Sequence, residues 1–276
     1  MARPQSPPVA IQRWDGRALH AVSDLVAAEE PLQLALDGIP LSIVMRTPGN
    51  DLELALGLLW AERVITSRAQ VLRVRMSAEA GETEPGVPLD TDLLESNQVD
   101  VHLRDGGRRP ERSFMASSAC GVCGATTVDD LALDFAVLGR GFEVRAALLP
   151  GLAESLREGQ AVFEVTGGLH AAGLFTASGE MLHLREDVGR HNAVDKIVGR
   201  TLIDGLLPAS ERVLAVSGRA GYEVVQKAIA AGIPILVAVG APSSLAVATA
   251  RRFNLTLVGF LKRDRFNVYS APERIV

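Results

Sequence analysis

The chemistry of this chain centres on two cysteines, which are the only two among its 276 residues. Cys120 and Cys123 are separated by Gly121 and Val122, and Gly124 follows directly. The surrounding residues are small and polar and lack the apolar period of a buried helix or strand, so they predict an exposed loop. Thiol reactivity depends mainly on accessibility and thiolate character, which makes both cysteines candidate catalytic residues.

Three interpretations of the cysteine pair compete. Unpaired cysteines are commonly buried as small hydrophobic residues, but glycine-rich surroundings disfavour burial here. A structural zinc site needs four ligands, and the sequence offers neither a second cysteine pair nor two histidines at zinc-ligand spacing. The zinc-deaminase signature is also missing, because no histidine has a glutamate two residues later. We therefore predict no metal site and favour thiol chemistry, which leaves a redox pair and a sulfur-carrying thiol open.

The composition indicates the fold class and restricts the expected cellular location and binding partners. Hydrophobic residues make up 47% of the chain and aromatic residues 4%, which favours an aliphatic core with buried strands, as in α/β proteins. A net charge of −5 argues against a broadly basic, nucleic-acid-binding surface. The sequence contains no uncharged apolar run of membrane-spanning length and no signal-peptide core near Met1. We expect a cytoplasmic protein without nucleic-acid or membrane partners.

The first half of the chain is predicted to be rich in β-strands. An alternating apolar run at 32–36, the turn signal Asp37-Gly38 and a second run at 41–46 predict a β-hairpin. Asn50 and Glu53 then predict a capping box at the start of a helix that continues through Trp60. Two further strands, at 71–76 and 99–103, flank an acidic segment, 77–97, that predicts a loop.

The second half shows alternating helix and strand patterns. Helices are predicted at 128–138 and 148–158, strands at 161–166, 171–176 and 182–184, and a helix at 194–202. The last third is predicted to run strand, helix, strand, helix, strand at 213–216, 222–231, 235–239, 245–253 and 255–260. Such alternation is typical of parallel strands joined by helical crossovers.

Ligands of open α/β sheets bind at the carboxyl ends of the strands, so the three segments that follow these strands are candidate binding residues. The first contains Ser217, Gly218 and Arg219, the second contains Ser243, and the third is the basic run 261–265. Two of them open helices, whose free N–H groups attract anions. Together they predict a pocket for a phosphate-bearing small molecule. The sequence has no Walker or dinucleotide glycine motif, which disfavours an ATPase or a dehydrogenase.

A dense run of charge occupies residues 185–192. A structural salt-bridge network is one interpretation. In the other, His191 and Asp187 act as acid–base or ligand-orienting groups. The sequence alone leaves both open.

Four motifs, taken in order, resemble one known family. They are Cys120 to Gly124, Thr166 to His170, Glu186 to Lys196 and Ser217 to Arg219. This combination is similar to the formate dehydrogenase accessory sulfurtransferase family, FdhD, over nearly the whole chain. The resemblance implies a sulfur carrier that accepts persulfide sulfur from a cysteine desulfurase and passes it to the molybdenum bis(molybdopterin guanine dinucleotide) cofactor before insertion into formate dehydrogenase.

The resemblance also implies residue roles, a fold and an assembly. Cys120 matches the usual persulfide carrier, and Cys123 is the second cysteine of the motif. The cofactor-binding stretch of the family matches Phe260, Leu261, Lys262, Arg263, Asp264 and Arg265, where GDP would act as a mimic of the cofactor. Family members are cytoplasmic homodimers whose C-terminal domain has a cytidine-deaminase-like α/β fold.

We accordingly expect an α/β protein with a smaller β-rich N-terminal domain. The predicted division is a disordered lead at 1–9, an N-terminal domain at 10–113, a mobile cysteine loop at 114–127 and a C-terminal domain at 128–276. Two alternatives to the sulfurtransferase remain. One is a dithiol oxidoreductase, and the other is a non-catalytic chaperone that binds the cofactor and apo-enzyme.

Overall fold

The computed structural model of this chain describes residues 4–77, 89–94, 97–104 and 135–276. The helices in these ranges are α1 (Asp51–Ala61), α2 (Leu149–Gly159), α3 (Ala161–Thr166), α4 (Arg190–Ile203), α5 (Tyr222–Ala230) and α6 (Ser244–Arg252). The strands are β1 (Pro8–Trp14), β2 (Leu19–Leu25), β3 (Glu30–Leu36), β4 (Ile39–Arg46), β5 (Val71–Ser77), β6 (Leu89–Leu94), β7 (Gln98–Leu103), β8 (His170–Phe175), β9 (Met181–Asp187), β10 (Val213–Val216), β11 (Ile235–Ala238), β12 (Thr256–Gly259) and β13 (Asn267–Ser270). This mixture confirms the predicted α/β class. The cysteine loop at 114–127 lies outside the described residues.

The N-terminal half contains a five-stranded sheet in the order β4-β3-β7-β5-β6. The predicted hairpin is confirmed, because β3 and β4 pair antiparallel across a turn at Asp37 and Gly38. Both turn residues have positive φ angles, 52° and 78°, which match the right-handed twist of the flanking strands. Helix α1 packs its leucines into the core of this half, beneath the buried leucines of β3. A separate hairpin of β1 and β2 precedes the sheet.

The C-terminal half contains a six-stranded sheet in the order β13-β12-β11-β10-β8-β9. Strands β10, β11 and β12 are parallel, as the alternating sequence pattern predicts. Strand β8 runs antiparallel to both β10 and β9. The carboxyl ends of β9, β10, β11 and β12 therefore meet at one edge of the sheet, where β8 begins. We call this the carboxyl edge.

The two halves meet where α1 crosses α4. A methyl group on Gly57 of α1 would lie 1.9 Å from the carbonyl oxygen of Asp195, and one on Gly199 of α4 would lie 1.9 Å from that of Glu53. The two backbones are therefore in direct contact, which only glycine permits at these positions. The crossing brings α4, and with it the charged run 185–192, against the N-terminal sheet.

Local predictions fail at several places. The run 161–166 was expected as a strand but forms helix α3, because the carboxylate of Glu186 accepts hydrogen bonds from the N–H groups of Val162 and Phe163. These are N–H groups that a helix start leaves unsatisfied, so a distant acid caps α3. Of the helix predicted at 128–138, only residues 135–138 are described, and they are not helical.

The N-terminal half differs from the sequence-based prediction at three places. The segment 77–97 is not wholly a loop, since it contains β6, which pairs parallel with β5. The predicted disordered lead ends too late, because β1 already begins at Pro8. Asn50 does precede α1, but its side chain makes no capping bond, and Glu53 binds Arg185 instead, at 2.6 Å. The domain boundaries and the cytidine-deaminase-like assignment stay predictions.

None of the helices within the described ranges combines the length and apolar character that crossing a membrane requires.

Candidate functional site at the carboxyl edge

Backbone hydrogen bonds hold together the three segments that follow β10, β11 and β12. The N–H of Gly240 donates to the carbonyl of Gly218, and the N–H of Phe260 donates to the carbonyl of Gly240, at 2.9 and 3.0 Å. A methyl group on Gly240 would lie 2.9 Å from the carbonyl oxygen of Gly218, so the first two segments are in close contact. The structure thus brings together Ser217, Gly218, Arg219, Ser243 and the run Phe260 to Arg265, as the sequence predicts.

The two serines of the predicted set already serve the backbone. The Ser217 hydroxyl oxygen accepts a hydrogen bond from the N–H of Ala171, at 2.9 Å. The Ser243 hydroxyl oxygen accepts from the N–H of Ala246, at 3.2 Å, and caps α6. Each hydroxyl keeps its proton available as a donor, but its main role in the described contacts is to fix the segment on which it lies.

The basic residues at this edge divide into paired and unpaired groups. Arg263 lies 2.6 Å from the carboxylate of Glu154 on α2, and both side chains are exposed. Arg219, Lys262 and Arg265 are exposed and make no ion pair with any residue that the structure describes. Three cations without a protein counter-charge are suited to an anionic ligand.

Phe260 stands out at the same edge because of its backbone and its exposure. Its φ angle is +53°, a left-handed conformation that is uncommon for a bulky residue, and its side chain is 45% exposed. Such a strained position persists only where the surroundings enforce it, and strain of this kind clusters at ligand sites. An exposed aromatic ring beside cationic side chains offers a stacking surface for a flat, anionic molecule.

The charged run 185–192 is mainly structural at Asp187. This carboxylate is fully buried and lies 2.7 Å from the Lys196 ammonium, which is also fully buried. The other oxygen of Asp187 accepts hydrogen bonds from the N–H of Gly189 and the amide of Asn192, both at 2.8 Å. The N–H of Thr47, from the N-terminal half, completes the set at 3.2 Å. The salt-bridge interpretation is therefore confirmed for Asp187.

A second buried polar group lies between α4 and α5. His191 Nε2 is 3.0 Å from a carboxylate oxygen of Glu223, and Lys227 is 2.7 Å from Asp195. Burial raises the pKa of Glu223 to about 7, and burial together with the positive charge of Lys227 lowers the pKa of His191 to about 3. At neutral pH the imidazole is neutral and the carboxyl group is near its midpoint. His191 and Glu223 lie in the first turns of their helices, next to the carboxyl edge.

The sequence analysis missed one residue at this edge, His170. It is the first residue of β8 and pairs in register with Asp187. Because β8 is antiparallel to its neighbours, its amino end, and not its carboxyl end, lies at the carboxyl edge. The rule that ligands bind at carboxyl ends of parallel strands could not identify it.

Comparison with known sequences identifies the family of this chain. The sequence model of the FdhD/NarQ family matches residues 27–276. The chain belongs to this family. The family assignment predicted from the four motifs is thus confirmed, and it spans all of the C-terminal half and nearly all of the N-terminal half.

Individual relatives agree with the family assignment. The chain is 46% identical over 254 residues to a protein of Nocardia farcinica named sulfur carrier protein FdhD, covering 91% of this chain and 88% of that one. It is 45% identical over 252 residues to a protein of the same name from Sulfolobus acidocaldarius, covering 91% of each.

A solved structure supports the fold. A crystal structure described as a formate dehydrogenase accessory protein from Desulfotalea psychrophila superimposes with a TM-score of 0.76. It covers 99% of this chain and 100% of that chain at 24% sequence identity. This likeness shows that the FdhD/NarQ member described here shares the mixed α/β architecture of that protein.

Proposed function

We propose that this chain is a sulfur carrier that serves the maturation of formate dehydrogenase. The support is its membership of the FdhD/NarQ family, whose relatives across most of its length are named sulfur carrier protein FdhD. Its two cysteines are the only thiols in the sequence, so any sulfur carried as a persulfide resides on Cys120 or Cys123.

Cys120 is the persulfide carrier in this proposal, which makes the protein a sulfurtransferase. Its thiolate attacks the outer sulfur of a persulfide on a cysteine desulfurase. A sulfur–sulfur bond forms on Cys120, and the desulfurase cysteine leaves as a thiolate. Cys123, three residues later in the sequence, is proposed to resolve the persulfide or to share it. Because both donor and acceptor are large, the carrier thiol has to be accessible.

The proposed sulfur acceptor is the molybdenum bis(molybdopterin guanine dinucleotide) cofactor, bound as a substrate at the carboxyl edge. Its pyrophosphate groups are anionic, and Arg219, Lys262 and Arg265 offer positive charge without an ion-pair partner among the described residues. The exposed ring of Phe260 offers a face on which guanine can stack. GDP carries both features and is the simplest probe. We further propose a cytoplasmic homodimer whose partners are a cysteine desulfurase and formate dehydrogenase.

Mass spectrometry after incubation with a cysteine desulfurase and cysteine tests the proposal. We expect Cys120 to gain one or more sulfur atoms and Cys120→Ala to abolish formate dehydrogenase maturation. Cys123→Ala is the matched variant and should have the smaller effect. Full maturation by the double variant would overturn the relay and leave a cofactor-binding chaperone. Equal, complete loss from either change together with disulfide reductase turnover would instead indicate a dithiol oxidoreductase.

A further inference from the structure

His170 lies at the carboxyl edge, where β8 begins between β9 and β10. It pairs in register with Asp187 at the end of β9, and two residues later Ala172 pairs with Val216 at the end of β10. A methyl group on Gly218 would lie 3.3 Å from Nδ1 of His170. The imidazole is thus beside the first of the three ligand-facing segments, and any side chain at position 218 would crowd it.

The charges that act on His170 are more positive than negative. The positive charges of Arg190, at the start of α4, and of Arg219, in the segment after β10, both act on its imidazole. Neither arginine makes an ion pair with a residue in the described part of the chain. His191, also on α4, is neutral. Among the described residues, Asp187 is the one acid whose charge acts on His170, and its two oxygens are already bound by Thr47, Gly189, Asn192 and Lys196.

This imbalance sets the protonation state of the free protein. Partial burial lowers the pKa of His170, and the positive charge of Arg190 lowers it further. The imidazole is therefore neutral at physiological pH. A dianion placed between Arg190 and Arg219 would reverse the local field and favour the imidazolium form.

We propose that His170 is a ligand-contacting residue of this edge, which binds a phosphate group together with Arg190 and Arg219 and takes up one proton from solvent as it does so. The inference rests on the proposed binding of a guanine nucleotide here, and it adds a contact and a preference for doubly charged phosphate. The protonated ring donates a charge-assisted hydrogen bond to a phosphate oxygen. Binding consequently tightens as the pH falls.

Nuclear magnetic resonance of the histidine rings tests the proton uptake directly. Sulfate is the first probe, because it is a dianion that does not itself titrate between pH 5 and 9. We expect saturating sulfate to raise the pKa of His170 by roughly one unit or more. His183, which is half-buried on β9 and lies 2.7 Å from Asp204, should not shift, and a His183→Gln variant serves as the matched control. An unchanged His170 pKa would overturn the proposal.

Calorimetry with GDP separates this inference from the proposed function. At pH 7, in two buffers of different ionisation enthalpy, wild-type protein should take up protons on binding GDP. Its affinity should fall roughly three- to tenfold for each pH unit between the free-state and the bound-state pKa of His170. His170→Gln should abolish the share of that uptake that His170 provides and make the affinity for GDP less dependent on pH. GDP binding that is identical in both proteins would overturn the role of His170 alone. No GDP binding at all would overturn the nucleotide site, and the sulfate titration would still decide the anion contact.

Discussion

The polar network around Asp187 and the carboxyl edge of the same sheet are neighbours that differ in one respect. In the network, every charge has a partner from the chain. Asp187 and Lys196 are fully buried, and the Lys196 ammonium also donates to the carbonyl of Thr47, at 3.0 Å. At the edge, Arg190 and Arg219 have no ion-pair partner among the described residues.

Arg190 is only three residues from Asp187, so position in the sequence does not separate the two roles. What separates them is direction. Asp187 ends a strand and faces the N-terminal sheet, where it joins the two halves, whereas Arg190 opens a helix at the edge. One dense charged motif therefore contains a residue that joins the two halves and, one turn later, an arginine that we propose binds a ligand.

The largest expected effect is on stability and comes from removing a charge from the buried network around Asp187. Lys196→Met should lower the free energy of unfolding by about 3–5 kcal/mol, because it leaves the Asp187 carboxylate buried and uncompensated. Urea denaturation followed by circular dichroism measures the change. Lys262→Met makes the same substitution at the exposed edge and should alter stability by less than about 0.5 kcal/mol. Equal effects of the two variants would contradict the contrast between the regions.

The next effect concerns the open edge. Arg219→Ala should weaken GDP binding roughly ten- to a hundredfold, since a charge-assisted hydrogen bond contributes about 1.5–3 kcal/mol. Arg265→Ala and Lys262→Ala should act in the same direction. Arg263→Ala is the matched control, because Arg263 already pairs with Glu154, and it should cost less than about threefold. Calorimetric titration at low and high salt gives both the affinities and the screening. If Arg263→Ala caused the largest loss of GDP affinity, the phosphates would have to bind near Arg263 and not near Arg219.

The smallest expected effect lies between the two regions, at Glu223. Its pKa is raised from 4.5 to about 7 in the folded protein, so its contribution to stability is fully present below pH 4.5 and is lost as the pH rises through 7. Glu223→Gln removes this loss. Relative to wild type, the variant should gain on the order of 1–2 kcal/mol at pH 8 compared with pH 5. Urea midpoints at the two pH values measure the gain, and an unchanged difference would show that Glu223 is ionised throughout.

Sequence patterns predicted the C-terminal half well because the residues of each helix or strand themselves determine its secondary structure there. Helix α5 and strands β10 and β11 have apolar periods that agree with their burial, and glycine or proline marks their ends. The parallel arrangement then follows from alternation alone. The candidate binding segments after the strands could be predicted for the same reason.

The predictions fail where contacts with residues distant in the sequence determine the local structure. Residues 161–166 contain β-branched and aromatic side chains that favour a strand, yet a carboxylate more than twenty residues away caps them as a helix. His170 was missed because the antiparallel strand β8 places its first residue at the carboxyl edge. Asp187 and His191 carried no sequence signal that could separate a structural from a chemical role. These contacts appear only once α1 and α4 have met.

The glycine contact between α1 and α4 also bears on how such a protein can be cut or recombined. At Gly57 and Gly199 the backbone of one helix packs directly against the backbone of the other. A C-terminal half produced alone would therefore expose the backbone of α4 around Gly199 to solvent. It would also lose Thr47, which holds both Asp187 and the Lys196 ammonium. We therefore expect that neither half keeps its structure when it is produced without the other. Exchange of segments between family members should succeed only when α1 and α4 are inherited together.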